Sequence, residues 1–209
     1  FMASHEEKDS TRARANLLRE ILADEKLSKP FASRELYDIL DLCLMCKGCK
    51  AECPSGIDMA RYKAEFLQHY YLAHHAALRT RLVAGITRIN RIGACFPAVF
   101  NFFATNKYFS SALKRFLGFA RQRQIPLLGK STLKKWAKKY LRQNNGLGEK
   151  ILFFTDEFTN YTDVEIGKKA LMLLVSLGYH VEIAPVSESG RTWFSKGMLR
   201  QAKKISRKN

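Results

Sequence analysis

Twelve residues, Cys43-Leu44-Met45-Cys46-Lys47-Gly48-Cys49-Lys50-Ala51-Glu52-Cys53-Pro54, constrain this chain more than any other stretch. Their four cysteines stand at C-x2-C-x2-C-x3-C-P, the spacing of a bacterial ferredoxin-type [4Fe–4S] site. Two-residue gaps let a tight loop point three thiolates at one iron–sulfur cube. Gly48 is expected to supply the freedom to turn, and Pro54 to stiffen the exit. Lys47 and Lys50 add positive charge beside a centre that is negative as ligated. Zinc sites come as two cysteine or histidine pairs separated by a dozen or more residues. No such distant pair follows, and outside the run the chain holds only Cys95, expected as a buried apolar thiol. The four cysteines lie too close together for a disulfide framework. The spacing therefore marks Cys43, Cys46, Cys49 and Cys53 as metal ligands. In two-cluster ferredoxins the fourth cysteine of such a run serves the other cluster. Two readings stand: Cys53 closes the cube of Cys43, Cys46 and Cys49, or it reaches a second cluster whose other ligands lie before Phe1. The chain starts at Phe1 rather than a methionine, and it is expected to be a fragment of a longer one.

The 209 residues suffice for one large or two small domains. The formal net charge of +17 points to nucleic acid, an anionic membrane surface or an acidic partner. Cluster cysteines fit a reducing cytoplasmic compartment. No signal peptide is visible, and no apolar run reaches transmembrane length.

Helical spacing and caps predict the elements around the run. Ser10 or Thr11 caps a helix to about Ala23, with Leu17, Leu18, Ile21 and Leu22 on one face. Its Arg12, Arg14 and Arg19 form a solvated face or approach the backbone or sulfides of a cluster. Asp24 to Pro30 is a linker. Ser33 caps a short helix, 34–42, with Leu36, Ile39 and Leu40 inward, which delivers Cys43 directly. Asp58 caps a helix from Met59 to about Ala77, with Tyr62, Phe66, Leu67 and Tyr70 as its apolar stripe. Helix, cluster loop, helix is the layout of an α-helical ferredoxin domain. His69, His74 and His75 have no cysteine or carboxylate beside them and are expected at the surface.

From Phe66 through Gly148 there is no Asp or Glu, while Phe is frequent from Ile92 to Phe119. Pro97 and Asn101 are expected to interrupt that stretch. Three readings compete: a helical packing layer with a basic rim, docking on a membrane, and nucleic-acid binding, which lacks any recognised motif. Ser131 caps a basic helix to about Arg142, and Asn144 to Gly148 is a linker. Lys150 to Phe154 reads as a buried strand, Asp163 as the start of a helix closed by Gly178, and Tyr179 to Ala184 as a second strand. That is a βαβ unit with parallel strands. Ser195 caps a last helix, 196–205.

The run with the following Ser55-Gly56-Ile57-Asp58 resembles the second cluster motif of the iron–sulfur subunit of glycolate oxidase. It is equally similar to the C-terminal half of fused FAD-linked D-lactate dehydrogenases. Ser10 to Ile21 resembles the arginine-bearing stretch after the first cluster motif of these proteins. Residues 150–205 resemble the start of the cysteine-rich domain shared with heterodisulfide reductase and the anaerobic glycerol-3-phosphate dehydrogenase. Where that pattern has Cys-Cys-Gly-Arg, this chain has Glu188-Ser189-Gly190-Arg191. Where it has a cysteine after the first strand, Glu157 stands. Neither a cluster nor a substrate disulfide is expected there. Gly190, Arg191, Ser195 and Gly197 remain, either as a turn and helix start or as backbone donors to an anionic group.

The expected chain is mainly α with a C-terminal α/β part. An α-helical ferredoxin domain spans 1–78, a basic, aromatic helical connecting region 79–148, and the start of a cysteine-rich-type α/β domain 149–209. The resemblance implies an electron-transfer segment without catalytic residues of its own. An FAD-binding oxidase domain or subunit takes a hydride from a D-2-hydroxy acid of the D-lactate or glycolate type. Electrons then leave singly through [4Fe–4S] clusters to a membrane acceptor such as a quinone. FAD belongs to the parent protein or a partner, and a peripheral position on the inner face of the cytoplasmic membrane follows. Two alternatives stay open. One is an iron–sulfur subunit like that of heterodisulfide reductase or anaerobic glycerol-3-phosphate dehydrogenase. The other is a basic module holding zinc at the cysteines.

Overall fold

The computed structural model describes residues 5–23, 30–186 and 188–209. In chain order the helices are α1 (Thr11–Ala23), α2 (Arg34–Asp41), α3 (Gly48–Glu52), α4 (Met59–Ala73), α5 (Leu78–Ala84), α6 (Ile86–Gly93), α7 (Pro97–Thr105), α8 (Lys107–Leu117) and α9 (Leu133–Asn144). Strand β1 (Lys150–Phe153), α10 (Glu157–Tyr161), α11 (Val164–Ser176), strand β2 (His180–Ile183), α12 (Arg191–Ser195) and α13 (Leu199–Lys208) follow. The chain is mainly α with a small C-terminal α/β part, as the periodicity predicts. It divides into two compact units, one of Phe1–Ala84 with Arg191–Lys203, the other of Gly85–Gly190 with Lys204–Asn209.

In the first unit, polar caps set the helix starts. Ser10 Oγ accepts the Ala13 N–H, and Ser33 Oγ accepts the Leu36 N–H. Leu18 and Ile21 of α1, Leu36 and Leu40 of α2, and Met59, Phe66, Leu67 and Tyr70 of α4 form one core. Burying a large apolar side chain is worth about 1.5–3 kcal/mol, so these positions hold the three helices together. Leu22 departs from its expected inward place and is exposed, and Ile39 is half-buried. The linker expected over 24–30 lies almost wholly outside the described residues.

Two expectations for α4 change. It ends at Ala73, where His74 turns to extended backbone. The His74 ring packs on Tyr70 at 4.4 Å, with Nε2 3.3 Å from Ala32 O, contacts that a continuing helix would lose. Tyr62 is half exposed, and its neighbour Lys63 is buried instead. The expected helix over 196–205 is also different. Ser195 closes α12, its Oγ donating to Thr192 O, and a turn at Gly197 precedes α13. Gly197 has φ +70°, and a Cβ there would meet Leu67 Cβ at 2.1 Å, so this crossing requires glycine.

In the second unit, β1 and β2 pair in parallel with Lys150 opposite His180 and Phe153 opposite Ile183. One face is covered by α9 and α11 through Leu133, Ala137, Val164 and Leu171, packed with Val181 of β2. The other face is open, so β1 is not the buried strand its apolar run predicts: Leu152 is 65% exposed. The expected linker after α9 takes part in the sheet. Asn145 Oδ1 accepts the Val181 N–H and its Nδ2 donates to Val181 O, a side-chain imitation of a strand partner. The cap of α9 is Thr132 rather than Ser131. Pro97 starts α7 rather than interrupting it. Asn101 lies within α7, and its amide pairs with both backbone groups of Leu128 at 2.8 Å. Cys95, expected buried, is exposed at the end of α6.

Candidate metal centre

The cysteine run joins α2 to α4. Cys43 follows the end of α2, Cys46 lies in the loop, Cys49 is in α3, and Cys53 closes α3 with its N–H on Cys49 O. The turning is done by two non-glycine residues in the left-handed region, Met45 at φ 56° and Lys47 at φ 62°. Gly48, expected to supply that freedom, begins α3 with ordinary φ. Left-handed non-glycine residues cost of order 1–3 kcal/mol each and persist where surrounding contacts hold them.

Those contacts are visible. Lys47 Nζ pairs with Asp58 Oδ2 at 3.2 Å, across the loop. Asp58 also caps α4, its Oδ1 accepting the Arg61 N–H at 3.1 Å. Burial alone would raise the Asp58 carboxyl, but the Arg61 N–H and the Lys47 ammonium hold it below the ordinary value of 3.8. A depressed carboxylate stabilises the fold above its unfolded pKa and loses that contribution as pH falls through the folded one. Asp58→Ala is expected to cost about 0.5–2 kcal/mol from the lost cap. The difference from the unchanged protein, read by urea unfolding, should shrink at pH values below 3.8. A difference that grew on acidification would contradict this assignment.

Two cations from flanking helices grip the end of α2. Lys63 of α4 is only 6% exposed, and its Nζ donates to Cys43 O at 2.8 Å and Asp41 O at 3.3 Å. Burial pushes its ammonium down in pKa, while the nearby Cys43 and Asp41 pull it up. Arg14 of α1 donates from Nε to Ile39 O at 3.2 Å. These cations meet the unpaired carbonyls and the negative end of the helix dipole. Arg14 thus approaches backbone, one of the two roles expected for the arginines of α1. Lys63 had no such expectation, because in sequence it reads as one polar residue of an amphipathic helix.

The thiols divide between two cavities. Cys43, Cys46 and Cys49 border one of about 410 Å³, together with Arg14, Lys47 and Asp9. Cys53 borders another of about 490 Å³, which Cys49 also touches. Backbone hydrogen bonds from Ile57 and Ser55 lower the Cys53 thiol pKa against the opposing effect of burial, and the Gly56 N–H donates to Cys53 O at 2.9 Å. Donors to the sulfur favour its anionic form. Among the described residues, no three His, Cys, Asp or Glu side chains are drawn together closely enough to hold a metal ion. In kind, the donors suit an iron–sulfur group: three thiols on one cavity wall, a fourth with amide donors, and cations nearby.

The remaining candidates lie apart from these cavities. His69, His74 and His75 are exposed, with His69 against the Phe31 ring. Gly190 has φ +78°, and Arg191 opens α12, which has five residues and no long helix N-terminus to offer an anion. In the second unit Glu157 is 1% exposed, and its two oxygens accept the Ser189 N–H and O–H at 2.9 and 2.8 Å. Glu157 and Ser189 occupy two of the three places where the resembled pattern has cysteines, the third being Glu188. A carboxylate–hydroxyl pair therefore closes the unit where thiols would otherwise stand.

Three curated relatives are similar to this chain, each named D-2-hydroxyglutarate dehydrogenase. The Pantoea ananatis protein is 31% identical over 180 residues, 81% of this chain and 17% of its own. The Escherichia coli protein is 28% identical over 187 residues, 84% of this chain and 18% of its own. The Haemophilus influenzae protein is 26% identical over 185 residues, 83% of this chain and 18% of its own. The chain therefore spans under a fifth of the relatives it matches. Their shared name is that of a D-2-hydroxyacid dehydrogenase, the enzyme class the cysteine-run resemblance implies, with hydroxyglutarate in place of lactate or glycolate. No family model matches the chain, and no solved structure matches it. Among the described residues, no helix is long and apolar enough to cross a membrane.

Proposed function

We propose that this chain is the iron–sulfur electron-transfer segment of a flavin-linked D-2-hydroxyacid dehydrogenase. The observation that carries the reading is the division of the four thiols between two cavities, in a chain similar to a short stretch of D-2-hydroxyglutarate dehydrogenases. Cys43, Cys46 and Cys49 would hold one [4Fe–4S] cluster, and Cys53 would serve a second. When bound, such a group supplies one-electron carriage between a two-electron flavin and an acceptor. The chain's own residues set the conditions for it. Lys63 and Arg14 fix the end of α2 and so the position of Cys43. The Lys47–Asp58 pair holds the loop in its left-handed turns. Arg14 and Lys47 put positive charge on the wall of the first cavity, which favours an added electron on a group bound there. Amide donors favour the thiolate of Cys53.

The parent's FAD domain or a partner subunit takes the hydride from the D-2-hydroxy acid, and electrons pass to a membrane acceptor such as a quinone. No residue of this segment is assigned to bond-making. The relatives' shared name favours D-2-hydroxyglutarate as the substrate to try first. The test is anaerobic purification of the parent protein, with iron and acid-labile sulfide assays and dye reduction by D-2-hydroxyglutarate, D-lactate and glycolate. Dithionite-bleached visible absorbance with stoichiometric iron, together with dye reduction by one of the three acids, supports the reading. A colourless protein carrying zinc at these thiols would overturn it.

A further inference from the structure

We propose that the hairpin of α7 and α8 docks on an anionic lipid bilayer, an inference that rests on the membrane-acceptor reading above. No residue of α7 is buried, and in α8 only Ser110 is. The exposed side are large: Phe96 is 72% exposed, Phe102 62%, Tyr108 85% and Phe116 78%. Phe103 links the two helices, its ring 5.5 Å from Phe102 and 4.9 Å from Phe109. Phe102, Phe103 and Phe109 thus join in one exposed cluster across the two helices, with further exposed rings on the same short hairpin, and exposed apolar patches of this kind mark interaction sites. The packing-layer reading holds for Phe100, which is half-buried beside Gly93 of α6, but among the described residues Phe96, Phe102, Tyr108 and Phe116 stay mostly exposed.

The occupant follows from charge and from the kind of apolar surface. Arg88, Arg91, Lys107, Arg115, Arg121 and Arg123 lie within or close to the hairpin in sequence, and no Asp or Glu occurs from Phe66 to Gly148. A protein partner would have to bring carboxylates in register with this whole rim. An anionic leaflet offers negative charge everywhere on its plane without register. Single-stranded nucleic acid also pairs charge with rings, but this stretch also exposes Ile92 and Val99, at 74% and 55%, saturated side chains on which bases do not stack. With nine and eleven residues, α7 and α8 are far short of the roughly 20 that span a bilayer. They are suited to lie in the interface, rings toward the acyl boundary and long cations reaching the headgroups.

The test is flotation of the cofactor-loaded parent protein with vesicles of phosphatidylcholine alone or with added phosphatidylglycerol. Binding to the anionic vesicles only, weakened by salt, is expected. Lys107→Gln and Arg115→Gln should each lower the partition about fivefold. Phe102→Ser with Phe116→Ser should abolish it while iron content and circular dichroism stay unchanged. Phe116→Trp supplies a gain of signal: its emission should shift to the blue on anionic vesicles and be quenched by brominated lipid. Equal binding to both vesicles, or binding to single-stranded nucleic acid in preference to vesicles, overturns the proposal. So does slow amide exchange across α7 and α8 in vesicle-free parent protein, which would mean that another part of that protein covers the face. If vesicle binding fails while dye reduction and iron content are intact, the docking idea falls and the electron-transfer reading stands. If iron and dye reduction are absent from the start, that reading falls first.

Discussion

Cys46→Ser in the parent protein is expected to remove one cluster's worth of iron and sulfide and to stop electron delivery to one-electron acceptors. Serine is of similar size, but its hydroxyl does not ionise near neutrality, so the loop loses one of three thiolates on the first cavity. Substitutions that touch a metal only through a ligand's partner typically cost roughly 10–100-fold in affinity. Loss of a ligand should exceed that. On the proposed reading, which puts hydride removal in another domain, the flavin should still be reduced by the D-2-hydroxy acid, and stopped-flow bleaching of the flavin separates the two steps. Cys95→Ser is the control: this thiol is exposed and lies in the other unit, and its substitution should change neither iron nor rate. Cys53→Ser then separates the two ligand readings. If Cys53 serves a second cluster, the first keeps its iron and signal. If Cys46→Ser retained all iron, the assignment of the first three thiols to one group would be lost.

Where local chemistry decides structure, the residues announce it. Ser10, Ser33 and Asp58 are hydroxyl or carboxylate side chains placed just before apolar periodic stretches, and each caps the helix expected from it. The parallel strand pair is equally plain, because Gly178 closes the intervening helix before a β-branched run. What could not be read are features set by distant contacts. Helical spacing leaves Tyr62 and Lys63 as adjacent candidates for the same face, and hydrophobicity favours Tyr62. The structure turns Lys63 inward because two carbonyls at and just past the end of α2 need a donor, and the need lies some twenty residues away in sequence. Ser195 looks like a cap by the same rule that works for Ser33. The break at Gly197 comes instead from the close passage of Leu67. The left-handed turns at Met45 and Lys47 carry no composition signal, since glycine or asparagine would be the usual choice. The four cysteines could be read from the sequence as a candidate site, then, while the cations and the ion pair beside them could not.

Lys63→Met carries the second large expectation, because it tests whether the loop is held in place by a buried charge. Methionine fills similar volume and removes the burial cost of the ammonium, a gain that on its own would stabilise the fold. It also leaves Cys43 O and Asp41 O without their donor, at about 1–3 kcal/mol for each carbonyl left unsatisfied. The second effect should win, because Lys63 Nζ is the shared donor to both carbonyls and the buried Leu36 and Leu40 anchor the helix they end. A net loss of about 2 kcal/mol in urea unfolding is expected. Cluster retention under chelator should fall roughly 10–100-fold, as for other residues that act through a ligand. Lys63→Arg keeps the donor and should recover most of the retention even if it strains the packing. A methionine variant as stable as the unchanged protein, with full iron, would show that the loop holds its shape without this charge. Its support would then come from the Arg14–Ile39 contact, the Lys47–Asp58 pair and the core beneath α4.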